Sequence, residues 1–272
     1  MTALDGKTEV YGIMGWPVSH SLSPAIQNRA FHALGLNKVY VPFPVKDVEM
    51  ALHGFRATGV RGVSVTIPHK QAVIPFLDTI DPLAARIGAV NTLVIDGGRI
   101  HGCNTDWQGA NQALAEVVDL PGTAVVLLGA GGSARALGFG LLEAGARVVI
   151  ASRTPDRGRA LAADLECEWL PLAEVGESAA EVLVNATSVG MAPEVDDMPV
   201  LGGILAGYRV VMDIVYSPLE TKLLREAAGA GCRVVNGLAM LLYQGAAQFE
   251  LWTGCRAPVE AMRQELVNRL KK

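Results

Sequence analysis

The sequence predicts an α/β protein of two domains, a mixed α/β sheet followed by a doubly wound parallel sheet. Three observations lead there. The chain has 272 residues, nearly twice the roughly 150 residues of an ordinary domain. Short β-branched runs alternate with helical patterns along it. One apolar run, 124–128, enters a glycine-rich turn, 129–134, that opens directly into a helix pattern.

Composition narrows the function classes. Half the residues are apolar and 18% are charged, enough to build a core and contrary to disorder. The formal charge is -4 with Lys and Arg scattered, so no basic stripe exists to neutralise a nucleic-acid backbone. No run of about 18 apolar residues could cross a membrane, and residues 1–10 do not read as a signal peptide. Cys103, Cys167, Cys232 and Cys255 lie far apart with no CxxC pair, which speaks against a metal site or a disulfide framework and for a reducing cytoplasm. The 30 glycines exceed a usual share of about 7%, a sign of close backbone approaches.

Strands are expected at 10–15, 38–41, 62–66, 90–95, 123–129, 147–151, 181–186, 210–215 and 233–235, each a β-branched run bounded by turn residues. Ser23-Pro24 reads as a cap followed by a first-turn proline. Ile26, Ala30, Phe31 and Leu34 supply the apolar face, and Gly35 the stop. Asp81-Pro82 repeats the device. Asp96-Gly97-Gly98 predicts a tight hairpin into 99–104, which adds an antiparallel strand to the first sheet. The helix expected at 106–118 bridges the halves, and the last two helices, 238–253 and 258–270, lack a strand to pair with. The expected domains are therefore 1–105 with 238–272, and 106–237.

The glycine turn carries the first chemistry. Strand, then Gly129-Ala130-Gly131-Gly132-Ser133-Ala134, then helix is the arrangement of a Rossmann-type dinucleotide site. Gly129 permits the sharp turn, Gly131 lets backbone approach a pyrophosphate, and Ala134 allows close helix packing. About 20 residues on, where an acidic residue would hold an NAD ribose, stand Ser152-Arg153-Thr154, with Arg157 one turn later. Two guanidiniums suit the 2′-phosphate of NADP. Asp156 lies between them, within reach of a ribose hydroxyl, so NAD stays open at this point.

The substrate is expected between the domains, facing strand ends of the first half. Three polar segments lie there: Ser19-His20-Ser21-Leu22-Ser23-Pro24, then Val65-Thr66-Ile67-Pro68-His69-Lys70, then Asn91-Thr92 with Asn104-Thr105-Asp106. Taken singly, Ser23 is a helix cap, Lys70 a surface lysine and Asp106 a helix start. Reduction of a ketone by hydride needs a proton donor at oxygen, which Lys70 with Asp106 can supply.

The order of these segments resembles the shikimate dehydrogenase family. Further matching stretches are Gly88-Ala89-Val90-Asn91-Thr92, Asn185-Ala186-Thr187-Ser188-Val189-Gly190-Met191, Asp213 to Pro218, and Asn236-Gly237 to Gln244. The resemblance, spanning about 11–252, implies reversible NADPH-dependent reduction of 3-dehydroshikimate in the chorismate and aromatic amino-acid pathway. It implies Lys70 and Asp106 as the catalytic pair, Ser21 and Ser23 on the substrate carboxylate, and Thr66, Asn91 and Gln244 around the ring hydroxyls with Lys70 and Asp106. Tyr216 would approach the substrate.

The same resemblance implies Arg153, Thr154 and Arg157 at the adenosine phosphate, and Thr187, Ile214, Gly237 and Met240 beside the nicotinamide. Ser152 stands where the family commonly has Asn. Quinate-using relatives carry an acidic residue at the position of Pro155 and tend to replace one loop serine by threonine; this chain does neither, so shikimate is the expected substrate and a quinate/shikimate dehydrogenase the nearest rival. A non-catalytic NADP-binding regulator would usually lose the Lys and Asp pair, and a methyltransferase has no use for Arg153. A monomer or homodimer is expected, with a small-molecule substrate, no metal, no nucleic acid and no membrane.

Overall fold

The computed structural model describes residues 4–270, which divide into two compact units. One runs up to Thr105 and resumes at Leu242; the other spans Asp106–Leu241. The second junction falls inside a helix, four residues beyond the boundary expected at 238.

In the first unit, strands β1 (Glu9–Gly15), β2 (Lys38–Pro44), β3 (Gly62–Val65), β4 (Thr79–Ile80), β5 (Thr92–Asp96) and β6 (Arg99–Cys103) form one sheet in the order β2-β1-β3-β5-β6-β4. β1 is parallel to β2 and β3, and β5 is antiparallel to both β3 and β6. The β5–β6 turn is the expected hairpin, with Gly97 at φ 52° and Gly98 at φ 77°; two successive positive values match strand twist and suit glycine. β2 runs past Pro42 to Pro44 because it is an edge strand, where a missing N–H costs no ladder bond. β4 is only two residues long and has no periodicity to read.

Helices α1 (Ser23–Ala33), α2 (Val48–Thr58) and α3 (Pro82–Ile87) follow β1, β2 and β4. Asp81 caps α3 as expected, accepting from the N–H groups of Leu83 and Ala84. Ser23 does not cap α1. Leu22 holds that position without a side-chain bond, and Ser23 is the buried first residue of the helix itself. The core gathers Met14, Leu52, Val63, Val73, Ile87, Leu93 and Ile100, all buried.

In the second unit, β7 (Ala124–Leu128), β8 (Arg147–Ser152), β9 (Glu168–Pro171), β10 (Val182–Asn185), β11 (Val210–Asp213) and β12 (Arg233–Val235) form an all-parallel sheet ordered β12-β11-β10-β7-β8-β9. Counted within the unit this is the order 6-5-4-1-2-3, with the reversal beside β7 where dinucleotides bind. The sequence reading missed β9, an edge strand of Glu-Trp-Leu-Pro with no β-branched residue. Helix α4 (Asp106–Ala115) is three residues shorter than expected and packs on α5 (Gly132–Glu143). Gly140 makes that possible, since a Cβ there would lie 2.7 Å from Trp107 Cβ. Asn111 Nδ2 donates to Gly140 O at 2.7 Å. Helices α6 (Pro155–Leu165) and α7 (Lys222–Gly229) complete the unit. Helix α8 (Gly237–Thr253) begins in it and ends in the first unit, which α9 (Val259–Leu270) closes.

Candidate active site

In the first unit the candidate substrate residues sit where β1, β3 and β5 end or begin. Ser21 Oγ accepts the N–H of Ser23 at 3.2 Å, which leaves its own hydrogen available to donate. Asn28 fixes the start of α1 by donating to Pro24 O at 2.7 Å and to Tyr40 O at 2.8 Å, while accepting from Tyr40 N at 2.9 Å.

Lys70 stands at the end of a turn tied down at Thr66, at His69 and at Lys70 itself. Thr66 N donates to Met14 O at 3.0 Å, His69 N to Thr66 O at 2.9 Å, and Val90 N to Lys70 O at 2.8 Å. His69 is buried, and its Nε2 lies 2.9 Å from Val45 O. A carbonyl only accepts, so that nitrogen carries the proton. His69 is thus a structural pin for the turn that presents Lys70, which is itself half-buried.

Asn91 is buried at the head of β5. Its Oδ1 accepts from Thr92 Oγ1 at 2.7 Å and from Thr105 N at 2.8 Å, and its Nδ2 donates to Thr105 Oγ1 at 3.0 Å. The same bonds fix Thr105, the residue before Asp106. Asp106 is buried at the first position of α4, and Gln244 is buried on α8.

In the second unit the glycine turn has the geometry its sequence implies. Gly129 has φ 112°, and a Cβ there would press on Thr187 Cγ2 at 3.0 Å. Gly131 is the N-cap of α5, and no atom lies within 4 Å of a Cβ built on Gly131 or Gly132. The first helical bond runs from Arg135 N to Gly131 O at 2.9 Å, so the N–H groups of Gly132, Ser133 and Ala134 have no partner within the helix. Ala134 is fully buried, as a small helix-packing residue should be. An open helix terminus lined by glycine fits a pyrophosphate.

Arg153, Thr154 and Arg157 are exposed at the entry to α6. Ser152 is differently employed: it is buried, donates to Thr154 O at 3.0 Å and accepts from Trp169 Nε1 at 2.9 Å. Its hydroxyl hydrogen is spent within the protein, so the adenosine contact expected of an Asn at this position is not supplied by the same route. Gly158 leaves room for that pair; a Cβ there would overlap Ser152 Oγ and Trp169 Nε1.

The remaining cofactor candidates share one organiser that sequence reasoning gave no role. Asp213, fully buried at the end of β11, accepts from Asn185 Nδ2 at 3.0 Å, Val215 N at 3.0 Å and Thr221 Oγ1 at 2.7 Å. Asn185 Oδ1 in turn accepts from Thr187 N at 3.0 Å and Thr187 Oγ1 at 2.7 Å. One carboxylate thereby joins the loops bearing Thr187, Ile214 and Tyr216. Burial pushes its pKa up to about 6, against the opposing pull of those three donors. Burial likewise raises the Tyr216 phenol. Gly237 lies against this loop, where a Cβ would fall 2.3 Å from Ile214 O, and Met240 is buried one turn along α8. The signal for Asp213 was a carboxylate ending an apolar strand, Val-Val-Met-Asp.

Comparison with known proteins gives a consistent result along the whole chain. Residues 13–93 match a profile described as the shikimate dehydrogenase substrate binding domain, and 237–267 one described as the shikimate 5′-dehydrogenase C-terminal domain. Residues 124–202, which begin at β7, match a profile of coenzyme F420-dependent NADP oxidoreductases. The shikimate dehydrogenase (NADP(+)) of Methanothermobacter thermautotrophicus is 46% identical over 281 residues, covering 99% of each chain. A crystal structure of a shikimate dehydrogenase with NADP+ has TM-score 0.94 at 39% identity, covering 99% of this chain and 98% of its own. The Thermus thermophilus shikimate 5-dehydrogenase, in complex with NADP(H) and shikimate, has TM-score 0.88 at 40% identity, covering 96% of this chain and 99% of its own.

Proposed function

Because the chain belongs to the shikimate dehydrogenase family, we propose that it reduces the ring ketone of 3-dehydroshikimate to the alcohol of shikimate with NADPH, and catalyses the reverse oxidation. The observation that carries this reading is full-length similarity at 46% identity to a shikimate dehydrogenase (NADP(+)), together with an open glycine-lined helix terminus followed by two exposed arginines. NADPH, when bound, supplies the hydride.

The protein's residues do the rest. The Lys70 ammonium donates a proton to the carbonyl oxygen as it becomes an alkoxide and stabilises the charge developing there. Asp106 orients that lysine and a ring hydroxyl. Ser21 and Ser23 hold the carboxylate, Ser21 by the hydroxyl hydrogen its own hydrogen bond leaves over. Thr66, Asn91, Gln244 and Tyr216 complete the substrate shell.

The N–H groups of Gly132, Ser133 and Ala134 receive the pyrophosphate, with Gly129, Ala130 and Gly131 shaping the turn. Arg153, Thr154 and Arg157 hold the 2′-phosphate, while Ser152 supports that loop from beneath. Thr187, Ile214, Gly237 and Met240 lie on the nicotinamide side. Pro155 and the two loop serines favour shikimate, and no quinate reading is needed. Four free thiols suit a reducing cytoplasm; among the described residues no helix is long and apolar enough to cross a membrane.

The reading is tested by incubating the protein with 3-dehydroshikimate and NADPH deuterated at nicotinamide C4. Deuterium on the carbinol carbon of shikimate is expected. Unchanged 3-dehydroshikimate, or shikimate without label from either face of the nicotinamide, would contradict it.

A further inference from the structure

Gln248 is fully buried on α8, one helical turn beyond Gln244, and no role has been assigned to it. Its Nε2 donates to Asn91 O at 3.1 Å and to Thr92 Oγ1 at 3.0 Å, and its Oε1 accepts from Ser64 Oγ at 2.7 Å. Because a backbone carbonyl can only accept, the Asn91 contact dictates which end of the carboxamide is nitrogen, and every other direction follows. Ser64 must give its hydrogen to Gln248, so Tyr40, whose oxygen lies 2.6 Å from Ser64 Oγ, must give its own to Ser64. Thr92 receives from Gln248 and so donates to Asn91 Oδ1, the same oxygen that accepts from Thr105 N, and the Asn91 amide nitrogen therefore faces Thr105 Oγ1.

Resting on the function proposed above, we infer that Gln248 is a positioning residue for the substrate: its single carboxamide directs the hydroxyls of Ser64 and Thr92 and locks together the three segments that bear Thr66, Asn91 and Gln244. Ser64 lies two residues before Thr66 on β3, Asn91 is gripped both at its backbone and through Thr92, and Gln244 rides the helix that Gln248 anchors. Asn91 O also accepts from Val65 N at 2.7 Å, so the β3 end, the β5 start and α8 converge on one oxygen. None of Gln248, Thr92 and Tyr40 needs to touch substrate to act. Their effect passes through where the segments bearing Thr66, Asn91 and Gln244 are held, which matters for a small ligand whose hydroxyls are read individually.

The test uses the full-length protein with two pairs of variants. Gln248→Met keeps length and removes every bond, and Gln248→Glu keeps the acceptor while setting a carboxylate oxygen against Asn91 O. Thr92→Val removes the relay hydroxyl, and Thr92→Ser restores it. Steady-state kinetics, calorimetric titration with shikimate, and thermal melting are measured on each. The expected result for Gln248→Met and Thr92→Val is a KM and Kd for shikimate raised about tenfold, the scale of a misdirected buried hydrogen bond, with KM for NADP unchanged, kcat within about threefold, and Thr92→Ser near wild type. Lower melting temperatures with unchanged shikimate KM and Kd would show a purely structural role and overturn the inference, as would equal weakening of shikimate and NADP. If Gln248→Met fails to fold, the Thr92 pair decides by the same criteria. A wild-type protein that neither binds nor turns over shikimate would overturn the functional reading and this inference together, whereas a wild type that does both while the variants match it overturns the inference alone.

Discussion

In the first unit the side chains proposed for substrate are held by buried hydrogen bonds whose directions are fixed, as at Asn91, Gln248 and the turn pinned by His69. In the second unit the groups proposed for the dinucleotide are backbone N–H groups at an open helix end and two exposed guanidiniums, with no neighbour crowding Gly131 or Gly132. The contrast follows from the ligands. A small ring with several hydroxyls can be told from its analogues only by donors and acceptors of fixed direction. A long polyanion is held by charge and by backbone that can approach it closely. Substitutions in the two units should therefore act on different constants.

The largest effect that would sharpen this contrast is at Lys70. Lys70→Ala should lower kcat by about a hundredfold or more, the usual scale of lost general-acid help, with little change in NADP affinity by fluorescence titration. A variant retaining near wild-type kcat would break the assignment.

Next is Arg153→Ala in the second unit. Losing charge-assisted bonds to the 2′-phosphate should weaken NADP by about ten- to a hundredfold and leave NAD and shikimate constants nearly unchanged. Equal weakening of NADP and NAD would remove the phosphate role.

The smallest effect concerns Asp213, where the second unit does use a buried, directed network. Its folded pKa is about 6 against an ordinary 3.8, so the folded state binds the extra proton. That contribution to stability is full below about pH 4 and is lost as pH rises through 6. Relative to Asp213→Asn, which cannot titrate, the wild type should lose on the order of 1 kcal/mol of unfolding free energy between pH 5 and pH 8. Parallel stability curves for the two proteins would contradict the buried, proton-binding carboxylate.

Much of this was legible in the sequence, and the reasons for the rest are physical. Strand, Gly129–Ala134 turn and helix are contiguous, so one segment carries the whole signal for the dinucleotide cradle. The hairpin at Gly97-Gly98 and the cap at Asp81 are equally local. What escaped was short, at an edge, or distant in sequence. β4 and β9 lie at sheet edges with two residues and with a proline-terminated run. Ser23 reads as a cap from its Ser-Pro context, but the helix begins one residue earlier than that pattern implies, with Leu22 in the cap position. Ser152 has its hydroxyl claimed by Trp169 from the unread strand β9. Gln248 bonds to residues 184, 157 and 156 positions earlier, and only the fold brings them together.

The most direct test of the central claim is a two-by-two rate measurement, shikimate or quinate with NADP or NAD, followed by the absorbance of the reduced nicotinamide. Turnover confined mainly to shikimate with NADP is the predicted result. Comparable rates with quinate or with NAD would contradict it, and would withdraw the specificity assigned to the paired serines and to Arg153.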